Sequence, residues 1–359
     1  MTVSKRVFVA MSGGVDSSVA AYLLKQEGYE VTGITMQIWP QSENQTKACC
    51  SLDAVSDAKR VAWDLDIPHY VMNFRGEFQK SVIDPFCNNY IEGRTPNPCI
   101  NCNQFIKFDS FLRKALAMGA DYIATGHYAR INKDSSGEFK LFKGVDPNKD
   151  QSYALYSMTQ EQLKHTLLPI GIYTKEEIRQ IARDAGLLIA EKEESQEICF
   201  VPEGDTYADF LEKFKSFEPK KGKIRHVSGE VLGEHDGIHR YTIGQRKGLG
   251  INYGTPLYIN AIDPDTNTIW VGEESDLYKK TAIADNFHFI SEKNRPQELH
   301  GVTVKIRYSA KPALADVIIE DKQAKVIFQE KQRAITPGQA IVLYNENEVL
   351  GGGTIIGAE

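Results

Sequence analysis

The sequence predicts an α/β protein: a doubly wound parallel sheet, then a small β-rich middle domain and a C-terminal β-barrel. Three observations carry that prediction. Up to about residue 205, short apolar runs alternate with helix-length stretches, the βαβ rhythm of a parallel sheet. From Lys220 the texture becomes glycine-rich strand and turn. From about residue 278, alternating strands follow one another with no helix-length pattern between them. A chain of 359 residues is also too long for one typical core, and the changes of texture divide it at 1–205, 206–277 and 278–359.

Taken in order, strands are expected at Arg6–Ala10, Glu30–Met36, His69–Asn73 and Tyr122–Ala124. Helices are expected at Ser17–Glu27, Ala54–Leu65 and Phe105–Met118, with turns at Gly28, Gly33 and Gly119-Ala120. The middle domain opens at Lys220-Lys221-Gly222-Lys223-Ile224-Arg225 and runs through Trp270-Val271-Gly272. Barrel strands are expected at Gly301–Tyr308, Ala315–Glu320, Ala324–Phe328 and Ala340–Asn345, broken at Thr336-Pro337-Gly338 and at Gly351-Gly352-Gly353.

No run approaches the roughly 18 apolar residues of a membrane span, and the first residues lead straight into a strand, so the expected location is the cytoplasm, away from membranes. Six cysteines in such a chain point to reactive or metal-binding thiols rather than a secreted disulfide scaffold. A net charge of −6 does not advertise nucleic acid. Local clusters nonetheless do: Lys220-Lys221-x-Lys223-x-Arg225, Arg246-Lys247 and Lys279-Lys280 lie in the β domains, away from the acidic run Glu191–Glu197.

The chemistry begins at Ser12-Gly13-Gly14-Val15-Asp16-Ser17-Ser18, directly behind the apolar strand. Adjacent glycines let successive N–H groups turn inward, serine hydroxyls add donors, and the following helix aims its positive end at the same spot, so an anion belongs there. The Gly-Lys-Ser/Thr ending of a mononucleotide loop and the Gly-x-Gly-x-x-Gly of a dinucleotide site are both missing. Ser-Gly-Gly-x-Asp-Ser instead resembles the PP-loop of the ATP pyrophosphatases, which cleave ATP between the α- and β-phosphates and adenylate a substrate oxygen. Ligands of such sheets sit at the carboxyl ends of the strands, where this loop stands.

Among the cysteines, Cys99 and Cys102 make half of a zinc site whose second half is missing; Cys49-Cys50 supplies at most one further ligand. Cys87, flanked by apolar residues, reads as a small core hydrophobe. Cys99, Cys102 and Cys199 remain for chemistry.

Six blocks then fall in order over nearly the whole chain: the loop at 12–18; Gly93-Arg94-Thr95-Pro96-Asn97-Pro98 with Cys102-Asn103; Ala124-Thr125-Gly126-His127-Tyr128; Lys149-Asp150-Gln151-Ser152-Tyr153; Ser195 with Ile198-Cys199-Phe200; and Tyr241-Thr242-Ile243-Gly244-Gln245-Arg246-Lys247-Gly248-Leu249-Gly250. Together they resemble the tRNA-specific 2-thiouridylase family. The resemblance implies an adenine nucleotide alpha hydrolase-like first domain, a tRNA-contacting barrel, and ATP-dependent thiolation of the wobble uridine. Adenylating the C2 oxygen makes it a leaving group, and a cysteine persulfide delivered by a sulfur-relay protein supplies the sulfur.

By match to the family, Cys199 carries the persulfide and Cys102 attacks or resolves it, leaving a Cys102–Cys199 disulfide to be reduced. The nucleotide contacts Ala10, Met11, Ser12, Gly13, Gly14, Val15, Asp16 and Ser17, with Met36 and Gly126, and Asp16 helps to hold Mg2+; no resident metal set is assigned. The tRNA contacts are Asn97, Pro98, Cys99, His127, Lys149, Asp150, Gln151, Arg307, Tyr308 and Gln339. His127 reads equally as general base or as orienting contact. The chain departs from the family where many members carry Asp at position 99, so no acid–base role transfers to Cys99. A third thiol there makes an iron–sulfur site of Cys99, Cys102 and Cys199 a minority reading. Two other functions compete. One is a PP-loop ligase that amidates a small molecule, against which the two thiols speak; the other is a nonenzymatic RNA-binding protein, against which the intact loop speaks.

Overall fold

Along the first strand, Val7, Val9 and Met11 pack into one hydrophobic core while Phe8 and Ala10 pack into another. A strand that buries both faces must be sandwiched between two layers, which is the position of a central parallel strand. The computed structural model describes residues 4–38, 52–192, 198–291 and 293–359. In it β1 (Arg6–Ala10), β2 (Glu30–Gln37), β3 (His69–Asn73) and β4 (Tyr122–Ala124) stand where expected. A hairpin follows, β5 (Ala129–Lys133) and β6 (Phe139–Lys143), and then the two-residue β7 (Thr166–Leu167). The first sheet runs β3-β2-β1-β4-β7 with every neighbour parallel. The chain turns one way from β1 to β2 and the other way from β1 to β4, so the crevice between the β1 and β4 loops is the topological switch point.

Helices α1 (Val15–Gln26) and α2 (Leu52–Asp64) match expectation within three residues at each end. The third expected helix does not. It starts at Pro98, not Phe105, as a short turn Pro98–Asn101, continues as a π-helix over Cys102–Phe111 and ends as an α-helix at Leu112–Ala117. The proline read as loop punctuation is a helix starter: it occupies the first helical position, and the Asn97 side chain caps by accepting from the Cys99 N–H at 3.1 Å.

The middle sheet consists of β8 (Gly222–His226), β9 (Val231–His235), β10 (Tyr258–Asp263) and β11 (Thr268–Gly272) in the order β10-β11-β8-β9, over a small core that includes Ile224, Ile259, Ile269 and Val271. The last unit contains β12 (Tyr278–Phe289), β13 (Glu298–Lys305), β14 (Ala313–Glu320), β15 (Gln323–Arg333), β16 (Ala340–Asn345) and β17 (Glu348–Ala358). They run β12-β15-β14-β13-β16-β17, and the pairing of β12 with β17 closes the six strands into a barrel.

Two features were not expected. Gly351-Gly352-Gly353 does not break a strand but lies inside β17. A Cβ on Gly351 would stand 2.0 Å from the His288 carbonyl oxygen, and one on Gly352 2.4 Å from that of Ile341. The glycines are there so that β12 and β16 can press against β17. In addition, the β5–β6 hairpin of the N-terminal half adds to the barrel sheet, Leu141 pairing with Val349. Among the described residues no helix is long and apolar enough to cross a membrane.

Candidate active site

The loop at 12–18 is braced by its own hydroxyls. The Ser12 N–H donates to Ser17 Oγ at 3.2 Å, and the hydroxyls of Ser17 and Ser18 donate to the Gly14 carbonyl at 3.1 and 2.9 Å. Gly14 is the N-cap of α1 and has no side chain with which to cap it, so the positive end of a 12-residue helix is left for an external anion. Gly13, at φ +72°, makes the turn; a Cβ there would lie 2.4 Å from the Ala54 carbonyl oxygen at the start of α2. Gly126, just beyond β4, leans on the same place: a Cβ would be 2.7 Å from the Asp16 carbonyl carbon and the Ser17 nitrogen. Met36 sits near the end of β2, paired with Met72 of β3. The expected nucleotide residues therefore gather at the carboxyl ends of β1, β2 and β4.

Charge around the loop comes from residues that no motif contains. Lys175 Nζ donates to Asp16 Oδ1 at 2.7 Å, and the Tyr128 hydroxyl donates to the same oxygen at 2.7 Å. Lys192 Nζ reaches the Gly13 carbonyl at 3.0 Å and Asp57 at 2.5 Å. Both lysines lie far along the chain, so no local pattern marks them. Asp16 has one oxygen so engaged, and among the described residues no three His, Cys, Asp or Glu side chains gather as a metal set. The donor set thus suits Mg2+ carried in with a nucleotide, with Asp16 contributing at most one carboxylate. It also does not fit the iron–sulfur reading, because Cys99, Cys102 and Cys199 are not brought together as three ligands.

Cys99 is exposed on the outer side of its helical turn, whereas Cys102 and Cys199 are half-buried against one core. That core also contains Phe8 and Ala10, the side of β1 that ends at the loop. Cys199 is positioned by its neighbour Phe200, whose buried ring packs edge-on against Phe78 and Phe86 at 5.7 and 5.2 Å and lies tilted against Phe210 at 5.3 Å. Cys87 is fully buried, and burial pushes its thiol up to about 11, which agrees with a packing role. Ser195 lies outside the described residues, as do Cys49 and Cys50 and positions 193–197 of the acidic run.

His127 is buried, with both ring nitrogens engaged: Nδ1 with Thr125 Oγ1 at 2.7 Å, and Nε2 with Lys107 Nζ at 3.4 Å. Burial first, and the Lys107 charge second, hold its pKa well below the ordinary histidine value, so the ring is neutral at pH 7. With Lys107 donating to Nε2, the Nδ1–H donates to Thr125. Of the two expected roles, this geometry suits orientation and leaves no ring nitrogen to take a proton from a substrate.

The expected RNA contacts fall in two groups. The β5–β6 hairpin brings the 149–151 loop to the barrel, where the Tyr153 ring meets Tyr308 at 6.2 Å and the Lys305 ammonium lies 5.8 and 5.5 Å from the two ring centres. Arg307, beside them, donates to the Arg333 carbonyl at 2.8 Å. Burial lowers the pKa of both Lys305 and Arg307; the Asp150 charge opposes the shift at Lys305, and the Arg333 charge adds to it at Arg307. Asp150 and Gln151 use side-chain oxygens internally, Asp150 accepting from Gly144 and Ser152, Gln151 from the Tyr128 N–H at 3.0 Å. The second group forms around Thr95. Its N–H donates to the Pro337 carbonyl at 2.9 Å, its carbonyl accepts from Gln339 Nε2 at 2.8 Å, and its hydroxyl meets that of Thr242 at 3.3 Å. All three units therefore meet one turn before Asn97, Pro98 and Cys99. Sequence reasoning missed Lys107, Lys175, Lys192 and Lys305; only Lys305, two positions before Arg307 in the expected strand Gly301–Tyr308, had a periodic signal, and the strand observed, β13, ends at Lys305 itself.

Comparison with known proteins gives matches along the whole chain. Family models match in three stretches: a tRNA methyl transferase HUP domain at 5–203, a tRNA methyl transferase PRC-barrel domain at 208–273 and an aminomethyltransferase beta-barrel domain at 279–355. The tRNA-specific 2-thiouridylase MnmA of Clostridium botulinum (strain Alaska E43 / Type E3) is 53% identical over 355 residues, covering 98% of each chain. The protein of the same name from Carboxydothermus hydrogenoformans is 53% identical over 358 residues, covering 98% of this chain and 97% of its own.

Proposed function

Since the chain belongs to the tRNA-specific 2-thiouridylase family, we propose that it replaces the C2 oxygen of the wobble uridine of tRNA with sulfur at the expense of ATP. The observation that carries this reading is the shared core: the strand that ends in the phosphate loop and the half-buried Cys102 and Cys199 pack on the same side of the sheet. Activation and sulfur delivery can then act on one base lifted out of the anticodon stack.

In the first step uridine O2 attacks the α-phosphorus, the bond to the bridging oxygen breaks, and pyrophosphate leaves with its electron pair from the cradle of Ser12–Ser17. Lys175 and Lys192 pass from Asp16 and Asp57 to the phosphates, and Mg2+ accompanies the nucleotide. In the second step the terminal sulfur of a Cys199 persulfide attacks C2, and AMP departs with the electrons of the C2–O bond. The Cys102 thiolate then attacks the inner sulfur, so the S–S bond breaks, the sulfur stays on the base, and a Cys102–Cys199 disulfide forms. A thiol reductant returns the two electrons. A sulfur-relay protein loads Cys199, and the reaction takes place in the cytoplasm. The same reading divides the chain at 205 and 277, with the barrel residues Arg307, Tyr308 and Gln339, together with Lys149, holding the tRNA.

The test uses persulfide-loaded protein, ATP and unmodified tRNA. Thiolated tRNA and pyrophosphate are expected from the wild type, and neither Cys102→Ser nor Cys199→Ser should give thiolated product. Full thiolation by either variant would remove the thiol mechanism. Pyrophosphate released with a small-molecule acceptor and not with tRNA would favour the amidating ligase, and none with any acceptor a nonenzymatic RNA-binding protein.

A further inference from the structure

The phosphate loop has two neighbouring lysines, and each is already paired: Lys175 with Asp16 at 2.7 Å, Lys192 with Asp57 at 2.5 Å. A third stands on the same helical run as Cys102. Lys107 lies on the π-helical run Cys102–Phe111, where i→i+5 bonding stacks residue 107 over Cys102. Such helices are rare and concentrate at functional sites. The Lys107 ammonium donates to Nε2 of His127, a neutral ring, so that contact fixes its place without cancelling its charge. Among the described residues no carboxylate forms an ion pair with it.

The strap that holds Lys107 also touches the phosphate loop. Thr125 fixes the far side of the His127 ring at 2.7 Å, and Phe108 packs against the ring at 5.7 Å. The intervening Gly126 presses on the Asp16–Ser17 backbone, with room for no Cβ. A rigid three-residue segment thus links the first turn of α1 to the ammonium that shares the π-helical run with Cys102.

We propose that Lys107 is a catalytic cation, its ammonium meeting the α-phosphate from the side of Cys102, and that His127 is its positioning residue. Negative charge rises on that phosphate when pyrophosphate leaves and again when AMP leaves. A fixed cation stabilises both departures and takes no part in bond making. The inference deepens the adenylation reading and rests on it.

The experiment compares full-length, persulfide-loaded wild type with Lys107→Met and Lys107→Arg, measuring tRNA-dependent pyrophosphate release, thiolated tRNA, the persulfide on Cys199 by mass spectrometry, and thermal unfolding. Lys107→Met is expected to lose about a hundredfold in both products, as when one preorganised donor is removed. Its persulfide loading should be unchanged, and added ethylammonium should restore part of the rate. Lys107→Arg should retain more activity than Lys107→Met. Activity of Lys107→Met within twofold of wild type overturns the proposal, as does a loss shared equally by Lys107→Arg and not relieved by ethylammonium, which would mark a structural role. If the wild type itself releases no pyrophosphate with tRNA, the adenylation reading fails and takes this one with it.

Discussion

The phosphate loop and the thiol pair serve one proposed reaction but are built in opposite ways. Consecutive residues make the loop: its serines bond to Gly14 and to each other, while from outside come close backbone contacts at Gly13 and Gly126 and the bonds of Lys175 and Tyr128 to Asp16 and of Lys192 to the Gly13 carbonyl. The thiols come from segments far apart in the chain and are placed by tertiary packing, Cys102 by the π-helix and Cys199 by the ring of Phe200 among Phe78, Phe86 and Phe210. A locally built site is set before its ligand arrives and fails through backbone clashes. A site assembled by tertiary packing can lose one chemical step and keep the other.

The largest expected effect separates the two regions. Cys199→Ser should lower thiolated tRNA by at least about a thousandfold, the scale seen when a nucleophile is removed. A single-turnover burst of pyrophosphate should survive, because the bonds that brace the loop at 12–18 run among Ser12, Gly14, Ser17 and Ser18 and do not pass through Cys199; a variant that loses the burst as well would merge the two regions into one cooperative unit. Gly126→Ala should do the reverse. Its new methyl meets two backbone atoms at 2.7 Å, neither of which can swing away, so about 1–3 kcal/mol of stability is lost. Pyrophosphate release should fall about tenfold or more if that strain enters the transition state, while persulfide loading of Cys199 stays near wild type. Parallel stopped-flow and mass-spectrometric assays read both outcomes.

That contrast also decides what the sequence could reveal. Ser12–Ser18 and the strands Arg6–Ala10, His69–Asn73 and Tyr122–Ala124 were legible because their determinants are neighbours: apolar alternation, paired glycines, a helix start. The π-helical start at Cys102 was not, since a proline at the first helical position and a proline in a loop look alike until the Asn97 cap is seen. Gly351-Gly352-Gly353 was misread for the same reason. Three glycines signal a break unless two other strands, pressing at 2.0 and 2.4 Å, require the missing Cβ atoms. Lys107, Lys175 and Lys192 carry no local signal at all, because their partners His127, Asp16 and Asp57 are fixed only by the fold.

The strap between the regions gives a smaller, pH-dependent effect. Burial depresses the pKa of His127, so the unfolded chain takes up a proton that the folded one refuses, and stability present above the ordinary value of 6.5 is lost as pH falls below it. One such proton contributes at most about 1.4 kcal/mol per pH unit. His69 and His235 are depressed in the same direction, so the measurement is a difference. His127→Gln, which can still accept from Lys107 and donate to Thr125, should show a shallower loss of unfolding free energy between pH 7.5 and 5.5 than wild type by about that slope. Parallel curves would mean that the ring is charged in the fold.

The smallest expected effect lies where the barrel touches the thiol segment. Gln339 Nε2 donates to the Thr95 carbonyl at 2.8 Å, two residues before Asn97 caps the helix that carries Cys99 and leads to Cys102. Gln339→Ala removes one neutral hydrogen bond at a half-buried site, a loss of about 0.5–1.5 kcal/mol. The Thr95 N–H still reaches the Pro337 carbonyl, and a Cβ on Gly338 would already crowd the Thr95 backbone at 2.9 Å, so the barrel loop stays docked. The effect should therefore appear as a few-fold rise in KM for tRNA with kcat unchanged. A fall in kcat at saturating tRNA would instead show that the barrel sets the position of Cys102 itself, and the thiol pair would then depend on all three units rather than on the aromatic core alone.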